Sequence, residues 1–100
     1  MASEYPNLNT SPYFYGPVVI GTSPVRLVAK YPDRRALIVA NNSSSEIFLG
    51  FDNGVEAGHG IPIKANSVWT DAGFRDNFTG EIWAVASSAG LDIRIAWWVR

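Results

Sequence analysis

The sequence predicts an all-β fold: a single small β-sandwich or barrel of jelly-roll or Greek-key type, with about eight short strands and an extended N-terminal arm. Three observations carry this. Leu91, Ile93, Ile95 and Trp97 alternate with Asp92, Arg94, Ala96 and Trp98, the period-two pattern of a strand with one buried face. Clusters of Gly, Pro, Asn and Ser recur between short apolar runs along the whole chain. No stretch shows a convincing helical period.

Residues 1–16 combine Pro6, Pro12, Asn7, Asn9 and Ser11 with Tyr5, Tyr13, Phe14 and Tyr15, a composition suited to an extended arm ahead of a domain over residues 17–100. Aromatic side chains that a small core cannot house need another surface. The arm therefore either reaches a neighbouring subunit or lays Tyr13–Tyr15 down as a first strand, and both readings stay open. Val18–Ile20 reads as a short strand ended by Gly21, and Val25, Leu27 and Ala29 alternate with Arg26 and Lys30 in a second. Tyr31, Pro32 and Asp33 make a turn into the stretch RRALIVANNSSSEIFLG, residues 34–50. There the apolar run 36–40 is too short for an ordinary helix and reads as a strand covered on both faces. Asn41–Ser45 breaks it, because Asn and Ser side chains hydrogen-bond nearby backbone, and the return through Ile47, Phe48 and Leu49 predicts a central hairpin.

Asp52-Asn53-Gly54 is a turn signal, since Asn and Gly accept positive φ. Pro62 allows an edge strand at most in the following segment. Val68–Thr70 begins another strand, residues 71–77 form a loop, and 81–86 pairs a strand pattern of Ile82, Ala84 and Ala86 with Trp83 and Val85 on the opposite face.

A chain of 100 residues fits one domain, and 47% apolar against 17% charged residues argues for a folded one. A net charge of −1 disfavours a nucleic-acid partner, whose phosphates are met by clustered cations. With no Cys, disulfides, thiol catalysis and thiolate metal sites are excluded. The N-terminus lacks a basic start and a long apolar run, so synthesis in the cytoplasm and no membrane association are expected.

Catalytic chemistry finds little purchase. His59 lies between two glycines with no second partner in view, and an exposed loop histidine is the better reading. Asp52, Asn53, Gly54 and Glu56 only faintly resemble a calcium loop, lacking its later bidentate Glu. Asp71 and Asp76 form a conceivable carboxylate pair, although two acids in a β protein are more often solvated charges. No enzyme activity, cofactor or metal is expected. The cluster Arg26, Lys30, Arg34 and Arg35 is read first as a polar outward face of two adjacent strands and second as a contact to a negatively charged neighbour. Trp97 and Trp98 point to opposite faces of a regular strand, which leaves one of them for an interface or a sugar-stacking platform. The residues expected at a partner interface are Tyr5, Tyr13, Phe14, Tyr15, Arg34, Arg35 and Trp98.

The run RRALIVANNSSSEIFLGFDNGV, followed by GIPIKANSVW and GEIWAVASSAGLDIRI, resembles a recurrent pattern in small structural proteins of tailed-bacteriophage virions. The resemblance covers roughly residues 18–99. It implies a β-sandwich displayed on the outer capsid surface, as a decoration (cement) protein or the base of a head fibre. The major capsid protein or another virion protein would be its partner, and a homo-oligomer its state. A fibre, neck or tail position is one alternative; a carbohydrate-binding module using Trp69, Trp83 or Trp98 is another.

Overall fold

The structure is a computed structural model that describes residues 13–71 and 78–99, with the side chains of 13–15, 98 and 99 outside the description. Eight strands form: β1 (Tyr13–Ile20), β2 (Val25–Val28), β3 (Arg34–Asn41), β4 (Ile47–Gly50), β5 (Ile61–Ile63), β6 (Val68–Asp71), β7 (Ile82–Ala86) and β8 (Leu91–Val99). They make two four-stranded antiparallel sheets, β1-β8-β3-β6 and β2-β7-β4-β5.

The order has a simple origin. β4 pairs with β5, β3 with β6, β2 with β7 and β1 with β8, so the chain is one long antiparallel ribbon folded back at the β4–β5 connection. Rolling that ribbon brings β8 against β3 and β7 against β4, which divides it into two sheets. This is the jelly-roll arrangement, and the predicted all-β sandwich of about eight strands is what the chain forms.

Alternate positions of both sheets point between them. Ile20, Leu37, Val39, Ile93 and Ile95 come from the first sheet, and Ile47, Leu49, Ile63, Ile82, Ala84 and Ala86 from the second, all buried in one cluster. Trp69 and Trp97 pack at its margin. Burying each Ile or Leu contributes about 1.5–3 kcal/mol, so this cluster is the main source of stability.

Two expectations are corrected and one open alternative is resolved. Residues 34–50 do not form a hairpin: β3 and β4 lie in different sheets, and the Asn41–Ser45 stretch crosses between them. The loop chemistry was legible, but nothing local says whether the returning strand pairs with its predecessor. Of the two readings left open for Tyr13–Tyr15, the first strand is what forms, since β1 begins at Tyr13 and pairs in register with β8 from there; residues 1–12 lie outside the described residues. Finally, Arg26 and Arg34 do not share adjacent strands, because β2 and β3 belong to opposite sheets. Asp52-Asn53-Gly54 does turn, but by its side chain: Asp52 Oδ1 accepts the Gly54 N–H at 2.8 Å, and the positive φ of that connection falls at Gly58.

Candidate partner-binding surface

The rolled ribbon sorts the connections by length. Residues 21–24, 42–46, 64–67 and 87–90 make short links at one end of the sandwich. At the other end lie the start of β1, the end of β8, the connections 29–33 and 51–60, and residues 78–81 leading into β7; 51–60 is the longest connection described throughout. Long connections at one end of a rigid sandwich are where binding residues usually collect.

Arg34 organises that end. In a regular strand Arg35 would share the inward face of Leu37, Val39 and Asn41. A register shift between Arg34 and Ala36 breaks the alternation, and Arg34 turns inward instead, 1% exposed, leaving Arg35 half-buried. The guanidinium donates through Nη1 to the Ala29 carbonyl at 3.0 Å and through Nη2 to the Phe78 and Gly80 carbonyls at 3.1 and 2.7 Å. Burial lowers its pKa from the ordinary value while the charge of Asp71 acts the other way. Arg34 thus ties two connections to the sheet, and its burial removes it from any partner surface.

The segment it fixes carries one exposed aromatic ring, Phe78, which packs against a second, Phe51, from the 51–60 connection. Phe78 and Phe51 are 39% and 52% exposed, with ring centroids 4.8 Å apart. The Phe78 N–H donates to Asp71 Oδ2 at 2.7 Å, and its ring lies on Gly80, where an added Cβ would sit 2.6 Å from it. The Phe51–Phe78 pair is therefore held in place at the surface and not folded into the core. Sequence reasoning missed both rings. A signal existed for Phe51, an aromatic residue standing immediately before the polar turn Asp52-Asn53-Gly54.

The same end gathers most of the expected interface positions. Tyr13 pairs with Trp98, Phe14 with Trp97 and Tyr15 with Ala96, while Arg34 and Ala36 face Val99 and Trp98 across the other side of β8. Four of the named positions, Tyr13, Phe14, Tyr15 and Trp98, thus neighbour one another in backbone register; their side chains lie outside the described residues, as does Tyr5 altogether. Trp97 faces inward, with its ring 5.5 Å from Tyr31.

The outer face of the first sheet is the second apolar surface. Pro17, Arg94, Ala40 and Val68 form one transverse row, and Ala96, Ile38 and Thr70 the next. Small residues at its centre leave a shallow trough of about 480 Å³, flanked by Val19 and Val68, which are 68% and 61% exposed. Its charges neutralise each other: Arg94 Nε and Nη2 donate to Asp92 at 3.0 and 2.9 Å, and Asn42 Nδ2 donates to Asp92 Oδ2 at 2.8 Å. These bonds, Arg94 first, hold the Asp92 carboxyl below its ordinary range.

The remaining candidates are scattered. His59 is exposed, 3.7 Å from Glu56, and Asp52 is engaged by its own turn. Asp76 lies outside the described residues, and among the described residues no group of three His, Cys, Asp or Glu side chains could hold a metal ion. Of the tryptophans considered for sugar stacking, Trp69 packs on the core, whereas Trp83 stands on the outer face of the second sheet beside Arg26 and donates its indole N–H to Glu81 at 2.7 Å.

Comparison with known proteins adds no relative: no family model matches the chain, and neither a curated protein nor a solved structure does.

Proposed function

We propose that this chain is a non-enzymatic virion structural protein, a capsid decoration protein that docks on the outer shell lattice through the Arg34 end of its sandwich. The observation that carries the reading is the exposed Phe51–Phe78 pair, anchored through Arg34 beside the start of β1. Rigid aromatic anchors contribute disproportionately to protein interfaces, because they bury much area with little entropy to lose. The segment ahead of Tyr13, with its own Tyr5, enters the domain at this same end and is suited to reach a neighbouring chain. The resemblance of residues 18–99 to tailed-phage structural proteins supplies the virion context; jelly rolls occur in viral capsid and lectin domains alike, and fold alone never assigns function.

Quantitative mass spectrometry of purified particles tests the virion context. A copy number comparable to the shell protein supports lattice decoration, a few copies per particle move the chain to a fibre, neck or tail, and absence removes the virion reading. The docking end is tested by Phe51→Ser and Phe78→Ser: both proteins stay folded and lose shell binding, and undiminished binding by the double variant overturns the assignment.

A carbohydrate-binding module is the second reading, favoured by Trp83, whose indole is fixed by Glu81 beside Arg26. A glycan panel that produces no saturable change in tryptophan fluorescence eliminates it.

A further inference from the structure

Edge strands offer unpaired backbone groups to any extended chain, and proteins usually obstruct them. Three of the four edges here are obstructed. In β1, Pro17 sits mid-strand. The bond from the Asn42 N–H to the Asp92 carbonyl, with the register of β3 on β8, places the ladder bonds of β8 toward β3 at 92, 94 and 96. Those toward β1 therefore fall at 93 and 95, and Pro17, opposite Arg94, has its nitrogen on the open side, where an N–H would otherwise be offered. β5 is three residues long with Pro62 at its centre. β2 is interrupted by an irregularity between Arg26 and Val28 and carries the charge of Arg26.

β6 has neither a proline nor an irregularity, and its one charge, Asp71, stands at its last position, where it accepts the Phe78 N–H. Its sequence is Val68-Trp69-Thr70-Asp71, three residues that favour strands and no Pro, Gly, Lys or Arg. The Asn41 N–H donates to the Ser67 carbonyl at 2.8 Å, and the register continues as Val39 with Trp69 and Leu37 with Asp71. Residues 67, 69 and 71 therefore direct their backbone groups to β3, and Val68 and Thr70 direct theirs to the open edge. Among the described residues no strand pairs with that edge.

We infer that β6 is a homodimerisation edge, which pairs antiparallel with β6 of a second copy about a two-fold axis beside Trp69. The sequence is self-complementary in this register. Val68 of each copy lies opposite Thr70 of the other, so their N–H and C=O groups exchange reciprocally, and the two side chains form a β-branched cross-strand pair on the outer face. Asp71 lies opposite Ser67, so the two carboxylates stand at opposite ends of the contact and not against each other. The half-buried Trp69 meets its symmetry mate on the inner face. A second copy satisfies every one of these conditions with closed symmetry, whereas a foreign strand would need them by coincidence. The product is a continuous eight-stranded sheet. The inference stands on the edge geometry and does not depend on the virion reading.

The test is light scattering after size exclusion, on the full chain across the micromolar range, with Thr70→Pro and Val68→Lys. The N–H of residue 70 plays no part in the β3 ladder, so proline there removes only an outward donor. The wild type should run as a dimer with an exciton signature from paired indoles in circular dichroism, and both variants as folded monomers without it. Should Thr70→Pro fail to fold, Val68→Lys carries the same expectation. A wild type that is monomeric throughout, or variants that keep the dimer mass, would overturn the inference. So would loss of the dimer on deleting residues 1–12 with retention in Thr70→Pro, since the N-terminal segment would then be the contact.

Discussion

Asn41 and Arg34 stand at opposite ends of β3 as the two buried polar side chains among the described residues, and both bind backbone carbonyls of crossing connections. Asn41 Nδ2 reaches the carbonyls of Ser45, Ile63 and Lys64 at 2.8, 3.0 and 3.1 Å, while its Oδ1 accepts from the Ser43 N–H and hydroxyl. A short neutral amide suffices because the connections 42–46 and 64–67 are tight and close directly over it. At the far end the carbonyls of residues 29, 78 and 80 stand further off, across longer connections, and a long forked cation spans them. The short-loop end is closed for stability, and the long-loop end is held in shape while presenting Phe51 and Phe78. Charge enters the interior where reach is needed.

Breaking the Arg34 end should have the largest effect. Arg34→Met keeps the stem and much of the volume but strips the donors from three carbonyls. Each unsatisfied buried group costs about 1–3 kcal/mol, so a loss of about 4 kcal/mol in urea denaturation is expected. Asn41→Asp comes next, at about 3 kcal/mol near neutral pH, because a carboxylate replaces the donor that faces three carbonyls. That penalty carries a pH signature. The carboxyl's folded-state pKa is raised, so the penalty begins to shrink as pH falls through the raised value and disappears below the ordinary aspartate range. A pH-independent loss would mean that the carbonyls had turned away. Arg34→Lys should cost less, about 1–2 kcal/mol, since one ammonium keeps the charge but cannot span the fork; equal stability would show that charge and not reach matters there.

The smallest effect belongs to the exposed ion pair beside the Asn41 end. Arg94→Ala should leave the denaturation midpoint unchanged, as exposed pairs contribute little. By carboxyl NMR, Asp92 should titrate below the ordinary range in the wild type and move up toward it in the variant. The sign follows from the depressed pKa: whatever stability Asp92 adds is present above the ordinary aspartate range and lost as pH falls through the lowered value.

The strands were legible where one face is apolar and the other is not: Leu91, Ile93 and Ile95 are buried as their alternation demanded, whereas in the wholly apolar β7 Val85 is buried along with Ile82, Ala84 and Ala86. The turn chemistry of Asn41–Ser45 was legible too, in the bonds that Asn41 makes to Ser43. What sequence could not supply was pairing between distant strands. The central hairpin failed for that reason, because a loop that crosses between sheets uses the same residues as one that reverses within a sheet. Arg34 was misplaced by a single-residue register shift, which no composition announces and which separates it from the otherwise identical Arg35. Phe51 and Phe78 were hidden because exposure of an aromatic ring depends on what the rolled ribbon leaves uncovered.

Pairing the first strand with the last also sets the order of events during synthesis. β8 lies between β1 and β3, so the first sheet lacks its middle strand until residues 91–99 have emerged. Until then β1 and β3 wait with open edges, and the contact that finally joins residue 13 to residue 98 closes nearly the whole length of the domain. Folding dominated by such distant contacts is slow, on the order of milliseconds to seconds. A ribosome stalled within the last strand would hold a chain with one sheet able to assemble and the other unable to, and such a chain is a natural client for a chaperone.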